Sequence, residues 1–276
     1  MNKIYISLLL IGISACDSLR KEVDFESDQY PTSLVISAFP TIGDSLNSSI
    51  SLSKGTLDAI SSFDNVTNAK FKLFENGNLI QELNGANVNE NYLFNEDLSS
   101  NNFYQIEVSH PDFRTISAET FVPVPVQNLT AIGTVDNDEL TIEISFDDSP
   151  NAEFYRLVIM EQDFITGWET NSQYFDIDPF EGTSYYYRDG FFTDEGFRDG
   201  RASLDVDLSY FSGNGELKVV LIACSEDYFN YFKSRFAWEE SDGAGPFTEP
   251  VQIYTNVTNG LGILAGYSIT EAAVEL

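Results

Sequence analysis

Apolar and polar residues alternate in short runs from about residue 30 onward, which is the pattern of half-buried β-strands. In the first half of the chain the runs are SLVISAF (33–39), SSISLSK (48–54), AKFKLFENGNLIQEL (69–83), FYQIEVS (103–109) and TISAETFVP (115–123). Within the third run, ENGN predicts a hairpin turn, because Asn and Gly tolerate the positive φ angles of two-residue turns. Short strands at this spacing predict an Ig-like β-sandwich over residues 31–125.

A second set of alternating runs follows the prolines of FVPVPVQNL, which favour an extended connection and a domain boundary near residue 125. These runs are LTAIGTV (129–135), ELTIEISFD (139–147), EFYRLVIMEQD (153–163), ASLDVDLSYF (202–211) and GELKVVLIACS (215–225). Among them, EISFDDSPNAEFYRLVIM (143–160) resembles the strand–loop–strand of fibronectin-III-like modules, in which a Tyr begins a central strand. The runs together predict a fibronectin-III-like β domain over residues 126–276. The expected fold class is therefore mainly β, with two β-sandwich domains.

The second domain is expected to carry an aromatic-rich insertion at 164–200 and one helix at about 226–238. The helix prediction rests on EDYFNYFKSRFAWEES, in which aromatic and basic residues recur at helical spacing. Tyr228, Tyr231, Phe232, Arg235 and Phe236 stand at i, i+3, i+4, i+7 and i+8, so they would share one amphipathic face.

The chain opens with Lys3 and an apolar run at 4–13, which is too short to span a bilayer, for which roughly 20 residues are needed. Ile13-Ser14-Ala15-Cys16 then resembles a bacterial lipobox, in which the peptide is cut before the cysteine and the cysteine is lipidated. This resemblance implies a signal peptide at 1–15 and acyl chains such as palmitate on Cys16, anchoring the chain to a membrane. The alternatives are an ordinary cleaved signal with a chance cysteine, or an uncleaved helix.

Residues 16–30 are polar and acidic, so they predict a tether that does not fold by itself. The segment loosely resembles the surface-export signals of Bacteroidota lipoproteins, although a solvated linker explains it equally well. The whole chain has 44 acidic and 14 basic residues, a net charge of -30. This balance excludes nucleic acid as a natural partner, because phosphate contacts need Lys and Arg.

Candidate catalytic residues are few. His110 is the only histidine and lies in SHPDF, a predicted surface turn, without a recognisable nucleophile motif around it. Cys224 lies in an apolar run and is expected in the core. Carboxylates are numerous enough to leave open a surface hydrolase that acts on glycans or peptides through a pair of acids.

No cofactor is expected. Acidic turns at 136–139, 176–181 and 193–200 offer oxygen ligands for Ca²⁺, but none fits the EF-hand pattern, so calcium binding stays unsupported.

The insertion concentrates large aromatic side chains, and we expect it to hold the partner or ligand face. Its candidate residues are Trp168, Tyr174, Tyr185, Tyr186, Tyr187, Arg188, Phe191 and Phe192, next to Phe175. Exposed aromatic residues beside an arginine are typical of protein interfaces and also stack on sugar rings. The alternative is that they fold back onto the sandwich as a side core.

The C-terminal segment GPFTEPVQIYTNVTNGLGILAGYS resembles the closing motif of a Bacteroidota outer-membrane lipoprotein family, domain of unknown function 4249 (DUF4249). The matching residues are Tyr228, Tyr231, Pro246, Phe247, Pro250, Asn256, Asn259, Gly260, Gly262, Ala265, Gly266 and Tyr267. The lipobox, SLVISAF, AKFKLFENG and SAETFVPVP agree with the same family. The chain departs from its pattern at Asn259-Gly260 and at Leu264, where the family has glycines and an aromatic residue.

The resemblance implies an outer-membrane lipoprotein, anchored by its lipid and facing the exterior. It also implies a TonB-dependent barrel of the SusCD-like import type as partner, with an oligosaccharide or peptide as ligand. On this expectation the protein is a non-catalytic accessory or binding component rather than an enzyme. A structural or adhesive envelope protein is the further alternative.

Overall fold

The structure is a computed structural model that describes residues 31–276 except 56–65, 86–90, 137–138, 164–166, 171–174, 179–188, 196, 198–199, 209–214 and 243–250. The predicted signal peptide and tether, including Cys16, lie outside the described residues. Thr32–Leu276 forms one compact unit.

Seventeen strands and one helix follow one another in the described part of the chain. The first half holds β1 (Leu34–Ala38), β2 (Leu46–Leu52), β3 (Lys70–Glu75), β4 (Asn78–Asn84), β5 (Asn91–Phe94), β6 (Asn102–His110) and β7 (Phe113–Val122). The second half holds β8 (Gln127–Asp136), β9 (Glu139–Asp147), β10 (Phe154–Asp163), β11 (Gly167–Thr170), β12 (Phe175–Asp178), β13 (Asp189–Thr193), β14 (Arg201–Leu208), β15 (Leu217–Cys224), α1 (Glu226–Asp242), β16 (Leu261–Leu264) and β17 (Tyr267–Glu275).

The first sandwich packs the sheet β16-β1-β2-β5 against the sheet β4-β3-β6-β7. Alternate residues of each strand point inward: along β6 these are Tyr104, Ile106 and Val108, and all three are fully buried. The predicted ENGN turn joins β3 to β4, with Asn76 and Gly77 at φ 48° and 78°. These are the left-handed conformations that a tight hairpin needs.

The second sandwich is one curled sheet of order β11-β10-β15-β17-β8-β9-β14-β12, with β13 also paired to β10. Its two halves close on each other, because one apolar cluster contains inward residues of β9 and β14 together with those of β10 and β15. The predicted class, mainly β with β-sandwich domains, is confirmed.

Two features differ from the sequence interpretation. The insertion at 164–200 is not wholly irregular, since it supplies β11, β12 and β13, which pair with β10 or β14. Strand β16, assigned by sequence to the second domain, pairs in parallel with β1 of the first sandwich. Its two buried apolar residues belong to different cores: Leu264 to that of the first sandwich and Ile263 to the cluster beneath α1.

Helix α1 begins at the predicted residue and continues one turn further than predicted. Ser225 caps it, because its Oγ accepts a hydrogen bond from the backbone N–H of Tyr228 at 3.2 Å. The buried face differs from the predicted one at two positions: Phe229 is buried, whereas Arg235 is exposed and pairs with Glu239 at 2.9 Å.

Candidate functional site

The layer formed by β10, β15 and β17 has an outer face that points away from the core of the second sandwich. The strand registers place Val158 beside Val220 on this face, and Met160 beside Lys218. Helix α1 covers one end of the face, where Val220 and Ile222 pack with Tyr228 and other residues of the helix. The other end, around Lys218, is open to solvent and holds a groove.

The groove has a volume of about 620 Å³ and is lined by residues that include Trp168, Gly215, Glu216, Lys218, Glu271 and Ala273. We call it the Trp168 groove. Trp168 stands on β11, opposite Gln162 of β10, and is 37% exposed. It is the one residue of the predicted aromatic face that the structure describes as exposed.

A fixed pair of opposite charges lies beside the Trp168 ring. The Lys218 ammonium lies 4.9 Å from the centre of the indole ring and donates to both carboxylate oxygens of Glu271 at 3.1 and 3.0 Å. The Lys218 side chain is only 17% exposed, so its ammonium is held between the ring and the carboxylate. An aromatic wall with a few positioned polar groups is typical of a small-molecule site.

Beneath α1 the same outer face carries a partly buried cation, Arg156. Its Nε lies 3.0 Å from the Asp189 carboxylate, with which Nη2 also pairs, and its Nη1 donates to the Tyr228 hydroxyl at 2.7 Å. The guanidinium carbon lies 4.6 Å from the centre of the Phe232 ring and within 6 Å of three further aromatic rings. These contacts fasten α1 to β10 and β13.

Burial and charge act in opposite directions in this cluster. Burial lowers the pKa of Arg156, but the attraction of Tyr228 and Asp189 outweighs it and the pKa is raised. Burial raises the pKa of Tyr228 to about 12, although the Arg156 charge acts the other way. The cluster therefore holds a charged arginine, an acid and a neutral tyrosine, which is the composition of a structural ion pair.

The predicted aromatic face is only partly brought together. Phe192 is wrong as a face residue, because it lies in the core of the second sandwich, stacked 5.4 Å from Tyr155. Phe191 is also not on an open face, because it packs against Phe229 and Phe236 of α1. The other predicted face residues, Tyr174, Tyr185, Tyr186, Tyr187 and Arg188, lie outside the described residues.

The residues of the C-terminal motif connect the two sandwiches, and we call the segment 256–267 the clasp. The side chain of Asn256 closes it: Oδ1 accepts from the backbone N–H of Leu264 at 3.1 Å, and Nδ2 donates to the Leu264 carbonyl at 2.8 Å. Nδ2 also donates to the Glu119 carbonyl of β7 at 3.3 Å. The Asn256 amide therefore satisfies the backbone N–H and carbonyl of Leu264, as a neighbouring strand would do.

Three glycines of the clasp lie against backbone of the first sandwich. A Cβ on Gly262, which has φ +109°, would overlap the carbonyl of Ile36, and a Cβ on Gly266 would overlap the carbonyl of Phe121. A Cβ on Gly260 would lie 2.8 Å from the Leu34 carbonyl oxygen. Only glycine permits these approaches, so the motif glycines have a packing role.

The neighbouring motif residues complete the junction. The N–H of Gly266 donates to Thr120 Oγ1 at 3.0 Å, and Thr120 in turn donates to Ser225 at 3.2 Å. Tyr267 packs on Tyr228, with ring centres 5.4 Å apart. Pro246, Phe247 and Pro250 lie outside the described residues.

The contacts of the two candidate catalytic side chains, His110 and Cys224, indicate structural roles. His110 closes the β6–β7 hairpin: its Nδ1 accepts from the Asp112 N–H at 3.1 Å, so its Nε2–H donates to the Thr67 carbonyl at 2.9 Å. Cys224 is buried, and burial raises the pKa of its thiol, which makes a thiolate nucleophile unfavourable.

Among the described residues, no group of three or more His, Cys, Asp or Glu is placed to hold a metal ion. Within the same part of the chain, no helix combines the length and hydropathy that a membrane crossing requires.

Sequence reasoning missed Arg156, Lys218 and Glu271. A signal for the first two exists, because each is the only charge within an apolar stretch of its strand, FYRLVIM in β10 and LKVVLIAC in β15. A lone charge in such a strand needs a partner on the face to which it points. Glu271 has no comparable signal, because it is one acid among many.

Of the comparisons with known proteins, the family profile agrees with the C-terminal motif. No curated protein matches the chain. Among solved structures, the native conformation of E. coli alpha-2-macroglobulin matches with 12% identity and a TM-score of 0.29, over 72% of this chain and 13% of that one. The sequence profile described as a domain of unknown function, DUF4249, matches residues 20–273. The chain therefore belongs to the DUF4249 family.

Proposed function

We propose that this protein is a lipid-anchored accessory or binding component of an outer-membrane import system, and that it catalyses no reaction. Its partner on this proposal is a TonB-dependent barrel of the SusCD-like type. Its ligand is an oligosaccharide or peptide that the barrel imports. The body faces the cell exterior.

The lipobox-like sequence Ile13-Ser14-Ala15-Cys16 carries this proposal, because it supplies the membrane anchor. Several acyl chains on Cys16 hold a protein far more firmly than one chain does. The fifteen residues of the tether 16–30 reach at most about 50 Å when extended, which lets the body dock on a neighbouring barrel.

The folded body supports a binding role in two ways. The clasp joins both sandwiches through buried contacts of Thr120, Ser225 and Gly266, which gives a stable scaffold for a site. The Trp168 groove offers an exposed indole and a fixed Lys218–Glu271 pair on a sheet face that is otherwise covered by α1.

Location is tested with the full chain and its Cys16→Ala variant in the native host. We expect the parent protein to incorporate labelled palmitate, to fractionate with the outer membrane, and to be cleaved by protease added to intact cells. The variant should lose the label and leave the membrane fraction. Labelled variant protein, or a parent protein found in the inner membrane, would contradict the proposal. The barrel partner is tested by co-purification, as described at the end of the Discussion.

A further inference from the structure

We propose that the Trp168 groove binds a neutral saccharide, whose ring packs on the part of the indole that Lys218 leaves exposed while its hydroxyls bond to Lys218, Glu271 and Glu216. This inference names the ligand class of the proposed function and rests on it for the biological source of the ligand. Binding itself is a property of the folded body and can be measured separately.

The exposed position of Trp168 is the first observation. Trp168 belongs to none of the three apolar cores formed by the described residues, and its neighbours in β11, Glu169 and Thr170, are also exposed. The indole is therefore not a core side chain of the described residues, and part of its ring faces the groove. A large aromatic ring left open on an edge strand is typical of a contact surface.

The fixed charge pair is the second observation. Lys218 is held by both Glu271 oxygens and by the ring, so its position is set before any ligand arrives. An ammonium can donate three hydrogen bonds and a carboxylate can accept about four, so the pair retains capacity for further partners. Sugar hydroxyls both donate and accept, and therefore match the two groups together.

The shape of the groove is the third observation. Ala273 faces the same side of the sheet as Lys218, and its small side chain leaves space beside the pair. The volume of about 620 Å³ lies within the range of ligand sites, and the groove is open along one side. An open groove with a flat aromatic wall fits a chain of sugar rings better than a single enclosed ligand.

The charges decide between ligand classes. A cationic ligand would meet the Lys218 ammonium already placed over the indole, and an anionic one would meet Glu216, Glu271 and a chain of net charge -30. The groove is also lined by the apolar residues Leu217, Ala272, Val274 and Leu276, against which the C–H faces of sugar rings can pack. A neutral saccharide avoids both charge conflicts.

The test uses the full chain purified in a detergent without a sugar headgroup. Neutral oligosaccharides, acidic oligosaccharides and a peptide library are screened as probes, and the affinity for the best neutral glycan is measured by calorimetry. Trp168→Ala is the test variant. Trp238→Ala is the matched control, because Trp238 is 42% exposed on α1, away from the groove lining.

We expect the parent protein and Trp238→Ala to bind the neutral glycan equally well. Trp168→Ala should lose about tenfold in affinity or more, the size expected for one stacking ring. Lys218→Met should also weaken binding. In Trp238→Phe, where Trp168 is the only tryptophan, the glycan should change the fluorescence of the remaining indole.

Failure to bind any neutral glycan would overturn the inference, as would glycan binding that Trp168→Ala leaves unchanged. Binding of an acidic glycan or a peptide that depends on Trp168 would overturn it in favour of that ligand. If a barrel co-purifies but no neutral glycan binds, only this inference fails. If a glycan binds but no barrel co-purifies, the proposed function fails and the groove stands.

Discussion

The clasp predicts that Gly262→Ala destabilises the protein far more than an ordinary glycine substitution. Gly262 has φ +109°, and a Cβ there would overlap the Ile36 carbonyl to which β16 is paired. Two costs combine: about 1–2 kcal/mol for a non-glycine residue at a left-handed φ, and about 1–3 kcal/mol for forcing apart a packed junction. The expected loss, taken from these two ranges, is therefore about 3 kcal/mol.

Two other glycines separate these costs. Gly43 has φ +68° and no atom within 4 Å of the place that a Cβ would occupy, so Gly43→Ala carries only the conformational cost, about 1 kcal/mol. Gly266 has no left-handed φ, but its Cβ would overlap the Phe121 carbonyl, so Gly266→Ala carries only the packing cost, about 2 kcal/mol. The three variants together give a test within one chain.

The assay is thermal unfolding followed by circular dichroism, with urea unfolding as a second measure. For a folded unit of this size, 1 kcal/mol lowers Tm by about 2–4 °C. We expect Tm to fall by about 6–12 °C for Gly262→Ala and by about 2–4 °C for Gly43→Ala. Equal Tm values for the two variants would refute the close approach of β16 to β1.

Three further predictions concern polar groups of the Arg156 cluster and of the clasp. Arg156→Met should lower the free energy of unfolding in urea by about 3–5 kcal/mol, because it leaves the Asp189 carboxylate buried without its partner. Adding Asp189→Asn should recover part of that loss, and no recovery would contradict the pairing. Stability should fall as pH rises from about 10, the ordinary tyrosine pKa, to about 12, the pKa of Tyr228. The reason is that the Tyr228 hydroxyl loses its proton at a lower pH in the unfolded chain than in the folded one. Unfolding curves of Tyr228→Phe should show a weaker loss of stability over this window. Asn256→Ala should cost about 1–3 kcal/mol, because it leaves the Leu264 N–H and carbonyl without their amide partner, and an unchanged unfolding midpoint would exclude the amide as the closure of the clasp.

Local features of the fold were predictable because their causes are local. The β3–β4 hairpin follows from Asn76-Gly77, which adopt the positive φ angles that the turn demands. The start of α1 follows from Ser225 and the acidic first turn after it. In both cases neighbouring residues alone determine the backbone.

Long-range features were not predictable in the same way. The return of β16 to the first sandwich depends on pairing between Leu261–Leu264 and a strand more than two hundred residues earlier, and an apolar pair does not specify its partner. In the sequence Phe192 resembles the other aromatic residues of the insertion, but the register of β13 against β10 turns it into the core. One residue of register decides the face on which a side chain lies.

The candidate site was predictable only in part for the same reason. Trp168 stood out as a large aromatic residue in a polar segment. Its partners Lys218 and Glu271 come from β15 and β17, and only the pairing of these strands brings them beside β11.

Co-purification from the outer membrane tests the central claim most directly. The full chain, with an affinity tag inserted in the tether 16–30 so that the groove stays free, is extracted in mild detergent, and the recovered proteins are identified by mass spectrometry. A lipoprotein of the same membrane, tagged in the same way, is the control. The account predicts a TonB-dependent barrel in about equal amount with this chain and not with the control. Recovery of the chain alone, in a detergent that preserves known barrel–lipoprotein pairs, would contradict it.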